Sequence, residues 1–164
     1  MNNEIIENLA EKVRHELGLN DVLNVDMDIV LEKLGITLKI DETHEVEGSF
    51  TKGENGFEIT LSKSYDGTNK RDKFTLAHEI GHLFLQYDPE NPNRVFNRKG
   101  QTEEEYQANR FAAAFLMPQS LYLDSLNQHA IDNKVDMSEV ANDFGVSVEA
   151  ARTRGRFLGY LSWN

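Results

Sequence analysis

The hydrophobic period changes twice along the chain, and this narrows the fold more than any other feature. In residues 4–17, Ile5, Ile6, Leu9, Val13 and Leu17 recur at helical spacing with Glu and Lys between them, predicting an amphipathic helix with one buried stripe. A second helix is expected over residues 26–34, with Asp26 as its N-cap and Gly35 as its stop. Residues 36–40 then alternate apolar and polar, which predicts a strand with one wet face. Two more short strands follow within residues 48–62, joined by a turn at Asn55-Gly56. Over residues 70–86 the helical period returns, with Phe74, Ala77, Ile80, Gly81 and Leu85 near one stripe. Pro89 and Pro92 close that helix and open a polar loop to Gly100. A further helix over residues 102–117 must stop before Pro118, and the tail reads as short helices around 119–131, 138–144 and 148–160. This order predicts an α+β fold with its strands in the first half and a helical tail.

The length of 164 residues fits one domain, or one domain with a small appendage. There is no cysteine, so disulfides, iron–sulfur clusters and thiolate nucleophiles are excluded, and a zinc site must use His and carboxylate. The longest apolar run, residues 111–117, is far shorter than the ~20 residues a membrane span needs. The first residues are acidic and lack the apolar stretch of a signal peptide, so a cytoplasmic protein is expected. A net charge of −11 opposes general phosphate binding.

Chemistry concentrates in the helix over 70–86, which contains His78-Glu79-Ile80-Gly81-His82. Residues four apart on a helix differ by about 40° around the axis and ~6 Å along it, so both imidazoles can reach one metal ion. Glu79 is turned by about 100° from His78 and stands beside the metal position, where a carboxylate can take a proton from water. This is the spacing of the zinc peptidases: two His ligands one turn apart and a Glu base beside the first. A catalytic zinc needs a third protein ligand, and the helix over 102–117 offers Glu105. One turn on, the Asn109 amide can accept a hydrogen bond from a ligating imidazole and fix its tautomer. Ala108, Ala112 and Ala113 would let the two helices approach closely. Glu105 has an equal claim to another role, because Thr102-Glu103-Glu104-Glu105 also matches a capping box.

The segment RDKFTLAHEIGHLFL, followed about twenty residues later by EYQANRFAAAFLMP, resembles the ImmA/IrrE family of metallopeptidases. The LeuGlyIle before the first strand, the ITLS before the motif helix and the tail FGVSVEAARTRGRFLGYL extend the similarity over nearly the whole chain. The resemblance implies a zincin-like domain with a small sheet and an HExxH active-site helix over residues 1–120. A small helical subdomain, helix-turn-helix-like, would cover 121–164. It also implies one Zn²⁺ per chain on His78, His82 and Glu105, with Glu79 as catalytic base. Relatives of this short architecture look like anti-repressors of phages and other mobile elements. The implied partner is therefore a helix-turn-helix repressor, cut at a specific site. Two positions depart from the family pattern. Gln107 stands where a second Glu is frequent and is expected to touch none of the ligands. Gln86 replaces a histidine often seen after the motif helix and is expected to remove a polar partner from the site.

In the tail, Ala141, Gly145, Val146, Ser147 and Ala151 have helix-turn-helix spacing, and the second helix would carry Arg152, Arg154 and Arg156. That allows a DNA-contacting reading. The net charge weighs against it, and Arg154 and Arg156 fall on different faces. The competing reading is therefore a DNA-binding or repressor-binding module without proteolytic turnover. His15, His44 and His129 have no partner at ligand spacing and are expected at the surface. Phe74, Phe84, Phe111 and Phe115 are expected in the core. Tyr65, Tyr106, Tyr122 and Arg94 are the candidates for stabilising an oxyanion, and spacing does not choose among them.

Overall fold

The computed structural model describes residues 1–43, 48–62, 64–92 and 102–162. His44 and Arg94 lie outside these residues, as does most of the loop to Gly100. Among the described residues the chain is α+β, with seven helices and a small sheet. Helix α1 (Asn3–Glu16) is capped by the Asn2 side chain, and α2 (Met27–Leu34) by Asp26 at its start and a left-handed Gly35 at its end. Strand β1 (Thr37–Ile40) runs parallel to β3 (Gly56–Leu61), while β2 (Gly48–Gly53) and β3 form an antiparallel hairpin. The sheet order is β1-β3-β2, and β2 faces α3 (Lys70–Gln86). Helix α4 (Glu103–Leu116) packs between α3 and α1.

Along α1 the buried stripe is rotated from the expected one: Ile6, Ala10, Val13 and Arg14 face inward, and Ile5 is 55% exposed. The reason lies in Arg14, a charged residue that periodicity cannot assign to a core. Its guanidinium donates to the carbonyls of Phe115 (2.8 Å), Leu19 (2.7 Å) and Val22, closing the ends of α4 and α1 together. Burial lowers its pKa to about 10. Phe111 and Phe115 are buried as expected, but Phe84 is largely outside the core, stacked on Phe111 with ring centroids 5.7 Å apart.

The tail comprises α5 (Gln119–Gln128), α6 (Met137–Phe144) and α7 (Val148–Phe157). Helix α5 ends three residues before the expected limit. A two-residue hairpin follows, β4 (Ala130–Ile131) against β5 (Lys134–Val135), turning through Asp132 and Asn133 with φ of 53° and 64°. Asp and Asn tolerate these left-handed angles, which such a turn requires. Ser147 caps α7 by accepting from the Ala150 N–H.

The tail is fastened to the rest of the chain by buried polar groups. Arg154 is 2% exposed; it donates to the Met117 carbonyl (3.0 Å) and forms a bidentate pair with Glu7 of α1 (2.6 and 2.8 Å). Lys73 of α3 donates to the Phe144 carbonyl (2.9 Å) and to the Asn24 side chain, beneath the α6–α7 turn. One apolar core runs through both parts, from Ile6 and Ile59 to Phe144 and Ala151.

Candidate metal centre

Helix α3 begins at Asn69, whose side chain accepts from the N–H groups of Arg71 and Asp72, and it runs unbroken through residues 78–82. His78, Glu79 and His82 are all buried. Helix α4 approaches α3 closely where both carry small residues. A Cβ built on Gly81 would lie 3.0 Å from the Ala108 carbonyl oxygen and 3.2 Å from its Cα, so any larger residue would push the two helices apart by a few tenths of an ångström. The approach brings Glu105 against the two histidines.

Three ligand-type side chains meet there. His78 Nε2 is 3.1 Å from His82 Nε2, and the two Glu105 carboxylate oxygens lie 3.0 Å from one imidazole each. The rings are nearly perpendicular, at 88°. Of the capping box, the Thr102 half is present. The Glu105 backbone N–H is capped by Thr102 Oγ1 at 3.2 Å, while the Glu105 side chain faces the imidazoles.

The far side of each ring explains why these atoms point inward as acceptors. His78 Nδ1 lies 2.7 Å from Asn109 Oδ1, and His82 Nδ1 lies 2.7 Å from Gln86 Oε1. Amide oxygens only accept, so each Nδ1 carries a proton, and a neutral ring then presents the lone pair of its Nε2. Two lone pairs and a carboxylate at about 3 Å fit a cation, and they are a donor set suited to zinc. Burial, and then the neighbouring His78, holds the His82 pKa below the ordinary imidazole value, against the upward pull of Gln86 and Glu105.

Asn109 stands where it was expected, behind His78. Gln86 corrects an expectation: it does not deprive the site of a polar partner but holds His82. Its Nε2 donates in turn to Gln107 Oε1 at 2.8 Å, so Gln107 reaches the site through one intermediate side chain. The missed signal was spacing, since Gln86 is four residues beyond His82 on the same helix.

A cavity of about 860 Å³ opens beside the centre. His78 and Glu105 contribute to its lining, as do Tyr106 and Arg110 of α4 and Thr153 and Phe157 of α7. Arg110 stacks its guanidinium over the Phe157 ring, 3.1 Å from the centroid, joining α4 to α7. Of the candidate oxyanion partners, Tyr106 lines this cavity. Tyr122 is buried and donates to the Ala151 carbonyl at 2.6 Å. Tyr65 sits among Asp28, Asp26, Asp72 and Asp66, and burial, then these acids, push its pKa up to about 12. His15 meets Asn20 at 2.9 Å, and His129 meets Asp143 at 2.9 Å; neither joins the centre.

A solved structure of a Mycobacterium tuberculosis transcriptional regulator aligns with a TM-score of 0.63 at 18% identity, covering 93% of this chain and 46% of that one. The chain therefore spans under half the length of that regulator, and at this identity the likeness is one of fold. Among curated proteins, none matches the sequence significantly. No helix among the described residues is long and apolar enough to cross a membrane. A peptidase family described as the IrrE N-terminal-like domain matches residues 31–155, a span that includes both histidines, Glu79 and Glu105. On that match the chain belongs to the ImmA/IrrE family.

Proposed function

We propose that the chain is a zinc-dependent endopeptidase with His78, His82 and Glu105 as metal ligands and Glu79 as general base. What supports this most is the convergence of two imidazole Nε2 atoms and a carboxylate within 3.0–3.1 Å, each ring backed by an amide oxygen. Bound zinc supplies Lewis acidity, polarising a scissile carbonyl and bringing the pKa of water towards ~7. Glu79, adjacent to His78 and 1% exposed, takes the proton of the attacking water on its carboxylate and returns it to the leaving amine. Asn109 and Gln86 keep the imidazoles in the ligating tautomer. The substrate chain lies in the cavity beside the site, where Tyr106, of the candidate oxyanion partners, contributes to the lining.

The substrate in this reading is a helix-turn-helix repressor encoded nearby, and its cleavage would switch on genes of a phage or mobile element. Family membership supports a regulatory protein as the partner. Residues 1–120 would carry the chemistry and residues 121–164 would help to dock the repressor. Direct DNA contact by α7 loses one of its three arginines, because Arg154 is buried against Glu7. The test is Glu79→Gln. Elemental mass spectrometry should find about one zinc per chain in both proteins, while cleavage of the neighbouring repressor falls by at least ~10²-fold. Robust cleavage by the variant removes Glu79 from its role, and a wild type that takes up no metal overturns the reading.

A further inference from the structure

The two imidazoles are backed differently. His78 rests on Asn109, an amide at the protein surface. His82 is fully buried, and behind it runs a chain of amides with a fixed direction. Its Nδ1–H donates to Gln86 Oε1 (2.7 Å), Gln86 Nε2 donates to Gln107 Oε1 (2.8 Å), and Gln107 Nε2 donates to Glu103 Oε1 (3.4 Å). Gln86 Nε2 also approaches the Glu104 carbonyl oxygen at 3.5 Å.

Both anchors of this chain, a carboxylate and a backbone carbonyl, can only accept. They therefore set the orientation of every amide between them and the ring. Turning the Gln86 amide over would face its oxygen towards Gln107 Oε1 and the Glu104 carbonyl. It would also present N–H to His82 Nδ1, forcing the ring proton onto Nε2, where it would point at His78 and Glu105.

We propose that Gln86 and Gln107 are positioning residues: with Glu103 they form an amide relay that holds His82 in the tautomer whose Nε2 is free to bind a metal. The relay rests on the three-donor reading of the centre, but its first consequence, the site of the His82 proton, is measurable without metal. Gln107 touches no ligand and acts through Gln86. The relay also accounts for the presence of glutamine at both positions, since the middle link must donate at one end and accept at the other.

The test combines two measurements on the full chain. Long-range ¹⁵N–¹H correlation spectra at pH 8 report which nitrogen of each neutral histidine carries the proton. Zinc affinity is read by competition with a chelator. In the wild type His82 should be the Nδ1–H tautomer. Gln86→Leu should shift it towards a mixture and weaken zinc binding by roughly 10- to 100-fold, the usual cost of losing a partner behind a ligand. Gln107→Leu should move both readouts the same way by less. Gln107→Glu still accepts from Gln86 but cannot donate to Glu103, so it should recover both readouts only in part, between Gln107→Leu and the wild type. A merely space-filling role predicts instead that the isosteric Glu behaves as the wild type. An unchanged tautomer and zinc affinity in Gln86→Leu overturns the relay. A tautomer that shifts in Gln86→Leu, in a wild type that binds no zinc, upholds the relay and overturns the metal reading.

Discussion

Helix α3 buries polar groups towards both ends, and the two ends satisfy them in opposite ways. Near its start, Lys73 is a donor facing acceptors, the Phe144 carbonyl and the Asn24 side chain. Arg154, which also fastens the tail, is likewise matched, donating to Glu7 and to the Met117 carbonyl. Near the end of α3, His78, His82 and Glu105 are acceptors facing acceptors. A matched set is complete as it stands and reads as architecture. A set of converging acceptors on neutral imidazoles needs a metal ion or an added proton to be complete and reads as a candidate site. Burial alone does not separate the two, since all five side chains are among the buried polar residues. The direction of the hydrogen bonds does.

The largest test of this contrast is Glu105→Ala. If Glu105 is a ligand as proposed, zinc affinity should fall by more than the roughly 10- to 100-fold typical of outer partners. Chelation should lower the Tm of the wild type and leave that of the variant unmoved. A variant that still holds one zinc per chain would reduce Glu105 to a helix-capping residue and erase the distinction. Arg154→Ala comes next. It strands Glu7 and the Met117 carbonyl, so we expect a loss of ~3–5 kcal/mol in denaturant unfolding, equal with and without metal. A loss that appears only in the zinc-loaded protein would make Arg154 part of the site.

The same contrast explains what the sequence discloses. The cluster of the candidate site was legible because its geometry is local: His78, Glu79 and His82 sit within one helical turn, and Asn109 follows Glu105 by another. Asp26, Gly35 and Ser147 were legible for the same reason, as caps act within a few residues of themselves. The matched set was not. Arg154 pairs with Glu7, 147 residues away, and Arg14 meets Phe115 across 101. No periodicity marks an arginine as buried when its partners are carbonyls of distant segments. Arg154 therefore read as one of three arginines displayed on a helix, and Arg14 drew no reading at all. Gln86 shows the intermediate case: its spacing from His82 was visible, but its direction depends on Gln107 and Glu103 on another helix.

Gly81→Ala probes the contact that brings the two halves of the site together. The added methyl would meet the Ala108 backbone at 3.0–3.2 Å, and backbone cannot swing aside as a side-chain tip can. Overpacking of this kind costs ~1–3 kcal/mol and should separate α3 from α4. Because Glu105 rides on α4, zinc affinity should fall along with stability. Wild-type zinc affinity in a destabilised Gly81→Ala protein would show that the donors re-form independently of the crossing.

The smallest expected effect tests the matched end of α3 through pH. Burial first, and then the charge of Arg14, lower the Lys73 pKa from its usual value to about 8, while Asp26 opposes the shift. In the unfolded chain the amine titrates near ~10.4. Between these values the unfolded state holds a proton that the folded state has released, so the Lys73 contribution to stability rises as pH increases through this window. Below about pH 8 both states are protonated and the contribution is flat. Lys73→Met has no such titration. Urea unfolding of both proteins between pH 7 and 9.5 should therefore show the wild type gaining on the variant above pH 8, by less than the ~1.4 kcal/mol per pH unit that one proton allows. The neutral amine still donates to the Phe144 carbonyl and Asn24, so the gain comes without loss of the α6–α7 anchor. A difference that stays constant over the whole range would mean that Lys73 keeps its ordinary proton affinity. In that case the donor-to-acceptor match at this end of α3 would cost the charge nothing in desolvation.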